Sequence, residues 1–287
     1  MHLDGAGRPM IDTHLHLWDP RTIPRSWLRD APSLDRRFDL AAYGREASSL
    51  GIDAAIHIET DVDEGGFERE LEEIDAIRVD GSLVRAMVVG GRPGHPGFPG
   101  WAEAAASRPG VVGIRRVFHG CAVGACWSTE SLAGDLRLLG EHDLLFELCV
   151  RPDQLDAASR LVEDCPNTTF VLDHLGRPEI RKGVTPGWLE GIRRMAGLEN
   201  VVVKLSGLIE CAGGGDWSAA DFRPFFEAVL DRFEADRIVW GSNWPVCTLG
   251  GSIEGWVETT KAMLADHPRH VREAVLEGNA RRIYRLD

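Results

Sequence analysis

Met10-Ile-Asp-Thr-His-Leu-His-Leu-Trp-Asp-Pro20 is the stretch from which the fold is read. It is an apolar run carrying His14 and His16 at i and i+2. Alternate residues of a strand share a face, about 6.6 Å apart, so an extended reading aims both imidazoles at one place. Asp19-Pro20 then breaks the run. By itself a His-x-His pair is weak evidence of chemistry; what gives it weight is the repetition that follows.

Seven further short, β-rich apolar runs occupy residues 52–58, 83–89, 111–117, 144–150, 168–174, 201–206 and 237–243. Segments with helical periodicity separate them, at 39–50, 64–79, 101–107, 129–139, 152–163, 186–196 and 219–233, and residues 253–265 and 269–284 close the chain. Strand–helix alternation repeated eight times predicts an α/β (β/α)8 TIM barrel filling residues 1–287 as one domain. The length of 287 residues suits that fold, which runs to about 250 residues before insertions. Glycine-rich loops at 89–100, 120–127 and 209–217 follow strands and belong on the C-terminal face, where barrel sites are built. The segment 22–38, bearing Trp27, is placed to cover a pocket there.

A hydrophobic content of 44% with 27% charged residues is that of a globular protein. The formal net charge of −13 argues against nucleic acid or an anionic membrane as partner. No run of about 18 apolar residues occurs, so no membrane span is expected. Met1 to Pro9 is short and polar, without an apolar leader, which points to the cytoplasm. Six cysteines are scattered, and Cys121 and Cys126 are too far apart for the usual zinc pair; reduced thiols are expected. Nothing in the sequence points to an oligomeric state.

The predicted strand ends collect polar side chains. The first offers His14 and His16, the second His57 and Glu59, and the fourth Arg115 or Arg116, of which one faces inward. The fifth offers Glu147, with Arg151 just beyond. The sixth ends in Asp173-His174, the seventh in Lys204-Leu-Ser206, and the eighth in Trp240-Gly-Ser-Asn243-Trp-Pro245. Strict alternation with His174 inward turns Asp173 toward the helix layer and Arg116 outward. His95, His119 and His142 fall in loops or at helix ends and read as solvated by default, with His119 set apart because it closely follows the fourth strand. Trp18 and Trp244 follow polar strand ends and read as pocket walls or packing.

Seven blocks, in order, together resemble the amidohydrolase-2 branch of the amidohydrolase superfamily. They are Asp12-Thr-His-Leu-His-Leu-Trp-Asp-Pro20, Gly113-Ile-Arg-Arg116, Phe146-Glu-Leu-Cys-Val-Arg-Pro152, Leu172-Asp-His-Leu-Gly176, Lys204-Leu-Ser-Gly207, Trp240-Gly-Ser-Asn-Trp-Pro245 and Gly278-Asn-Ala-Arg-Arg-Ile-Tyr284. The nearest likeness is to sugar-lactone and dicarboxylate-lactone hydrolases such as L-fuconolactonase, L-rhamnonolactonase and 2-pyrone-4,6-dicarboxylate lactonase. The resemblance implies a distorted barrel and water attack on the ring ester of a small sugar-acid or carboxylated lactone. It implies catalytic roles for His14, His16, His174 and the strand-8 residue. That residue is an aspartate in the family and Asn243 here, a neutral amide that cannot take a proton. His174, His57, Glu59 and Glu147 are the candidates for a replacement base. Substrate contacts are expected from Arg115, His57, Glu147, Trp18 and Trp244. One divalent ion, zinc or manganese, would be held by His14, His16 and His174, or the histidines would polarise the carbonyl without metal. A metal-dependent non-oxidative decarboxylase or hydratase, or a low-activity paralogue, are the rival readings.

Overall fold

A computed structural model describes residues 9–121 and 130–286. The predicted loop 120–127 falls largely outside them. Eight parallel strands form one sheet in sequence order: β1 (Met10–Leu15), β2 (Ile52–Ile58), β3 (Val84–Gly90), β4 (Val111–Val117), β5 (Leu145–Cys149), β6 (Phe170–Leu172), β7 (Val201–Leu205) and β8 (Ile238–Trp240). The ring nearly closes where Leu15 bridges Trp244 and the His16 amide donates to the Trp244 carbonyl at 2.8 Å. Outside lie α1 (Leu40–Ala47), α2 (Phe67–Asp75), α3 (Phe98–Ala106), α4 (Glu130–Glu141), α5 (Leu155–Glu163) and α6 (Pro186–Ala196). A short α7 (Leu208–Cys211), then α8 (Ala219–Phe233), α9 (Ile253–Leu264), α10 (Arg269–Glu273) and α11 (Asn279–Ile283) complete the layer. No helix of the described residues is long and apolar enough to cross a membrane.

Local chemistry accounts for the helix starts. The Asp39 carboxylate accepts from the Ala42 amide ahead of α1, and Ser252 accepts from Gly255 ahead of α9. Thr185 and Pro186 open α6, and Ser218 and Asp221 cap each other's backbone at α8. The strands divide their side chains between two apolar layers. Ile56, Ile58, Ala86, Val88, Val112, Leu145, Val171, Val202 and Val239 fill the lower barrel with Tyr284. Met87, Phe146, Leu148, Leu172, Val203 and Trp240 face the helices. With both faces buried, the strands read as continuous apolar runs, as parallel sheets do.

The register slips in two places that bear on the site. Between Asp12 and Leu15 the pairing with β2 shifts, so Thr13 and His14 both reach the interior and His16 follows them. Between Met87 and Val88 the pairing with β4 shifts, setting Gly90 beside Arg115, and the unbroken β4–β5 register sets Arg115 beside Glu147, both inward. The thiols depart from expectation at one position: Cys121 is disulfide-bonded, whereas Cys149, Cys165, Cys211 and Cys247 are free.

Candidate active site

A cavity of about 320 Å³ opens at the C-terminal ends of the strands. His16, Arg115, Cys149, His174 and Asn243 form its floor and walls, and Trp18, Trp27, Asp30 and Ala31 approach from the long connection after β1. Trp27 is fixed there by its indole N–H, which donates to the Thr60 carbonyl at 2.8 Å. The 22–38 segment therefore does cover the pocket, and a buried Arg25–Glu70 ion pair at 3.5 Å anchors its base.

Three imidazoles meet at the centre. The His14 ring centroid lies 4.8 Å from that of His16 and 4.5 Å from that of His174. Burial, reinforced by Arg115, holds His16 down to about 3, and burial pushes His14 and His174 well below the ordinary value. All three are neutral near pH 7. The His16 Nδ1 lies 2.8 Å from the Ile58 carbonyl, which only accepts, so Nδ1 carries the hydrogen and Nε2 keeps its lone pair. His174 Nδ1 pairs with Ser206 Oγ at 2.8 Å.

Asp173 corrects the alternation argument. It faces the barrel centre, not the helix layer, because β6 ends at Leu172 with Val171 inward and Asp173 keeps that parity. His174 reaches the same centre by another route: it and Leu175 take left-handed backbone angles, φ 55° and 53°. Space for its ring depends on Gly207, where a Cβ would overlap the imidazole. The Asp173 carboxylate accepts from Arg115 Nε at 2.8 Å, and its other oxygen lies 3.3 Å from Lys204 Nζ and 3.5 Å from His14 Nδ1. Burial pushes this carboxyl up, but Lys204, His14 and Arg115 together hold it well below the usual range.

Beneath the cavity lies a sealed polar layer. Lys204 Nζ donates to Glu147 Oε2 at 2.6 Å and lies 3.0 Å from His14 Nδ1, and Tyr284 donates to Glu147 Oε1 at 2.8 Å. Glu147 is fully buried and does not line the pocket, so the expected substrate contact is replaced by a supporting one. His57 also departs from its expected place. It is paired with Leu15 and Met87, which pack toward the helices, and its Nε2 has no partner. Trp244 packs between Phe38 and Tyr43, with its indole on Glu46, away from the cavity. Glu59, beyond the end of β2, accepts from Arg115 Nη1 at 2.7 Å, and burial lifts its carboxyl to about 7 against the pull of Arg115. Arg116 turns outward and donates to the Pro93 carbonyl. His119, the exception among the loop histidines, lines the cavity, and burial lowers it to about 4.

The sequence reading missed two residues. Arg177, beside His174, lines the cavity in a left-handed conformation, φ 52°. Glu210, on α7, accepts a hydrogen bond from the Asn243 amide. Neither sits on a strand, so no period-2 pattern could mark them.

A divalent ion suits part of this centre. The donor atoms of His14, Asp173 and His174 all lie within 4.8 Å of one another. His14 Nε2 and Asp173 Oδ1 are buried without a hydrogen-bond partner, as atoms reserved for a ligand would be. Two imidazoles and a carboxylate are donors that zinc or manganese accepts. His16, the third histidine of the sequence reading, stands outside this tight group.

A parallel barrel with histidines, a carboxylate and two buried cations at its C-terminal face defines the class of barrel enzymes whose centre can hold a metal. The chain belongs to the amidohydrolase family, whose sequence model matches residues 11–286. It is 34% identical over 152 residues to an L-fucono-1,5-lactonase of Burkholderia ambifaria, a match spanning about half (51%) of each chain. It is 28% identical to an L-fucono-1,5-lactonase of Burkholderia multivorans over 98% of this chain and 97% of that one. A solved amidohydrolase from Burkholderia multivorans, with bound zinc, superposes with a TM-score of 0.87 at 24% identity, covering 97% of this chain and all of that one. That likeness establishes the fold.

Proposed function

We propose that the protein hydrolyses the ring ester of a small lactone, a sugar-acid or carboxylated one. The observation that carries the reading is the convergence of His16, His174 and Asn243 on one cavity of about 320 Å³, with the His14 ring buried against both imidazoles. That volume sits at the small end of ligand pockets, about 300–1,000 Å³, and suits a single ring. Relatives that carry lactonase names support the same chemistry.

In this reading Arg115, held by Asp173 and Glu59, presents the rest of its guanidinium edge to a carboxylate or hydroxyl of the substrate. Asn243 orients the attacking water. His16 Nε2, bare because Nδ1 is committed to Ile58, takes the proton as the water oxygen bonds to the carbonyl carbon. The ring C–O bond then breaks, the proton passes to the departing ring oxygen, and a hydroxy acid leaves. His14, Asp173 and His174 would hold a zinc or manganese ion, which when bound supplies Lewis acidity at the carbonyl oxygen. The Lys204 ammonium, 3.3 Å from Asp173 Oδ1, adds positive charge beneath the same point.

The test is proton release from a panel of aldonolactones and carboxylated lactones, with chelator-treated protein beside zinc- and manganese-supplemented protein. One lactone opened about 1,000-fold above its spontaneous rate, with that rate lost in a His14→Ala/His16→Ala variant that still folds, is the expected result. Silence across the panel in every arm, or full activity in the double variant, overturns the reading.

A further inference from the structure

Asn243 follows β8 in a left-handed conformation, φ 57°, and lines the cavity. Its amide has two unlike ends: Nδ2 donates and Oδ1 accepts. Nδ2 donates to Oε1 of Glu210. The second Glu210 oxygen, Oε2, is buried with no hydrogen-bond partner. The two residues come from separate loops that are fastened together. Glu210 rides on α7, and the turn Val246–Leu249 packs against it. The Cys247 amide donates to the Asn243 carbonyl at 2.8 Å, and a Cβ at Gly250 would overlap the Ile209 carbonyl. The Trp217 indole donates to the Gly250 carbonyl at 2.8 Å and closes the junction.

We propose that Glu210 is the positioning residue of the site: by accepting from Nδ2, its carboxylate fixes the Asn243 amide so that Oδ1 faces the cavity, where it accepts a hydrogen bond from the water or a substrate hydroxyl. The logic is one of donors and acceptors. An ionised carboxylate cannot donate, so only the NH2 end of the amide can face it, and the carbonyl end is left for the cavity. A protonated Glu210 can donate from its O–H to Oδ1. The amide then reverses, and its NH2 faces the cavity in place of the acceptor. The charge state of a residue outside the pocket thus decides whether the strand-8 position accepts or donates.

The surroundings place this change in a useful range. Burial lifts the Glu210 carboxyl to about 6, opposed by its backbone, Asn243 and Arg177. The other titratable groups against it are the thiols of Cys211 and Cys247, both raised by burial and neutral there. Above about 6 the carboxylate form prevails and Oδ1 faces the cavity.

The role in turnover rests on the lactone-hydrolysis reading, whereas the orientation of the amide does not, and the experiment separates the two. The side-chain amide signals of Asn243 are followed by NMR in protein labelled with ¹⁵N asparagine, identified by their loss in Asn243→Ala. They should shift with a midpoint of about 6 in the parent protein and stay still in Glu210→Gln, which keeps the shape of the side chain. No shift between pH 5 and 8, or the same shift in Glu210→Gln, overturns the proposal. On whichever lactone is opened, kcat should show an acid limb near 6 that flattens in Glu210→Gln. Glu210→Ala should lower kcat by about 100-fold with little change in KM, the cost of a misplaced reacting group. Unchanged kcat in a folded Glu210→Ala variant also overturns it. A panel with no turnover refutes the reaction and leaves the amide titration to decide the orientation.

Discussion

Replacing Lys204 by methionine probes the polar layer under the cavity. The ammonium is fully buried and sits 2.6 Å from Glu147, 3.3 Å from Asp173 and 3.0 Å from His14. Methionine fills much of the volume but removes the charge. Asp173 keeps Arg115, while Glu147 keeps the Tyr284 hydroxyl and the more distant His14 Nδ1 at 3.9 Å. Removing one partner of a buried pair costs about 3–5 kcal/mol, because the remaining charge is stranded. For a chain this long, about 2 °C of Tm per kcal/mol turns that into a fall of about 6–10 °C. Burial already raises the Glu147 carboxyl above its ordinary value, with Lys204 opposing; without Lys204 it rises further. A carboxyl raised in the folded state binds its proton more tightly there than in the unfolded chain. Stability therefore falls as pH rises above the unfolded value in parent and variant alike, and the variant's deficit widens only above the parent's folded value of about 8, between about pH 7 and about pH 9.5. Thermal unfolding of Lys204→Met and of Lys204→Met/Glu147→Gln at both pH values measures this. The double variant should recover at least about half of the loss, since no ionisable group remains at position 147. A single variant within about 1 kcal/mol of the parent, or strict additivity in the double, refutes the stranded-charge argument.

Two further outcomes follow from close contacts. Gly207→Ala places a methyl where the His174 ring sits and forces an L side chain to φ 69°, so unfolding should show a loss of about 1–3 kcal/mol and any lactone turnover should fall with it. Trp27→Ala opens the cavity wall while leaving the histidines in place, so KM should rise by about 10-fold or more with kcat within a few-fold, read from steady-state rates.

The barrel was legible because its evidence is repetitive. Each strand buries both faces, so eight apolar runs stand out between amphipathic helices, and β2 and β4 begin and end where their runs do. α6 and α8 likewise occupy the predicted segments 186–196 and 219–233, with Pro186 and Ser218 marking their starts. The His14/His16 pair was placed on one face, although the reason given was incomplete. A register shift in β1, invisible in the sequence, is what lets Thr13 and His14 both reach the interior. His57 and Asp173 went astray on the same assumption, that one alternating parity holds from strand into loop. Their true sides depend on which neighbour each strand is in register with, and that is long-range information.

The residues that follow β6 and β8 into the site share a physical character. His174, Leu175, Arg177 and Asn243 all take left-handed backbone angles immediately beyond β6 and β8. Such angles are costly for residues other than glycine and are held only where surrounding structure imposes them. Here the surroundings are specific. Gly207 leaves room for the His174 ring, Gly241 lies so close to His14 that a Cβ would come within 2.6 Å of it, and Glu210 engages the Asn243 amide from a neighbouring loop. At His174, Arg177 and Asn243 the departure from strand geometry brings a polar side chain to the cavity. The pattern that reveals the barrel therefore stops being informative where the site begins, and there the reading passes from periodicity to donors, acceptors and charge.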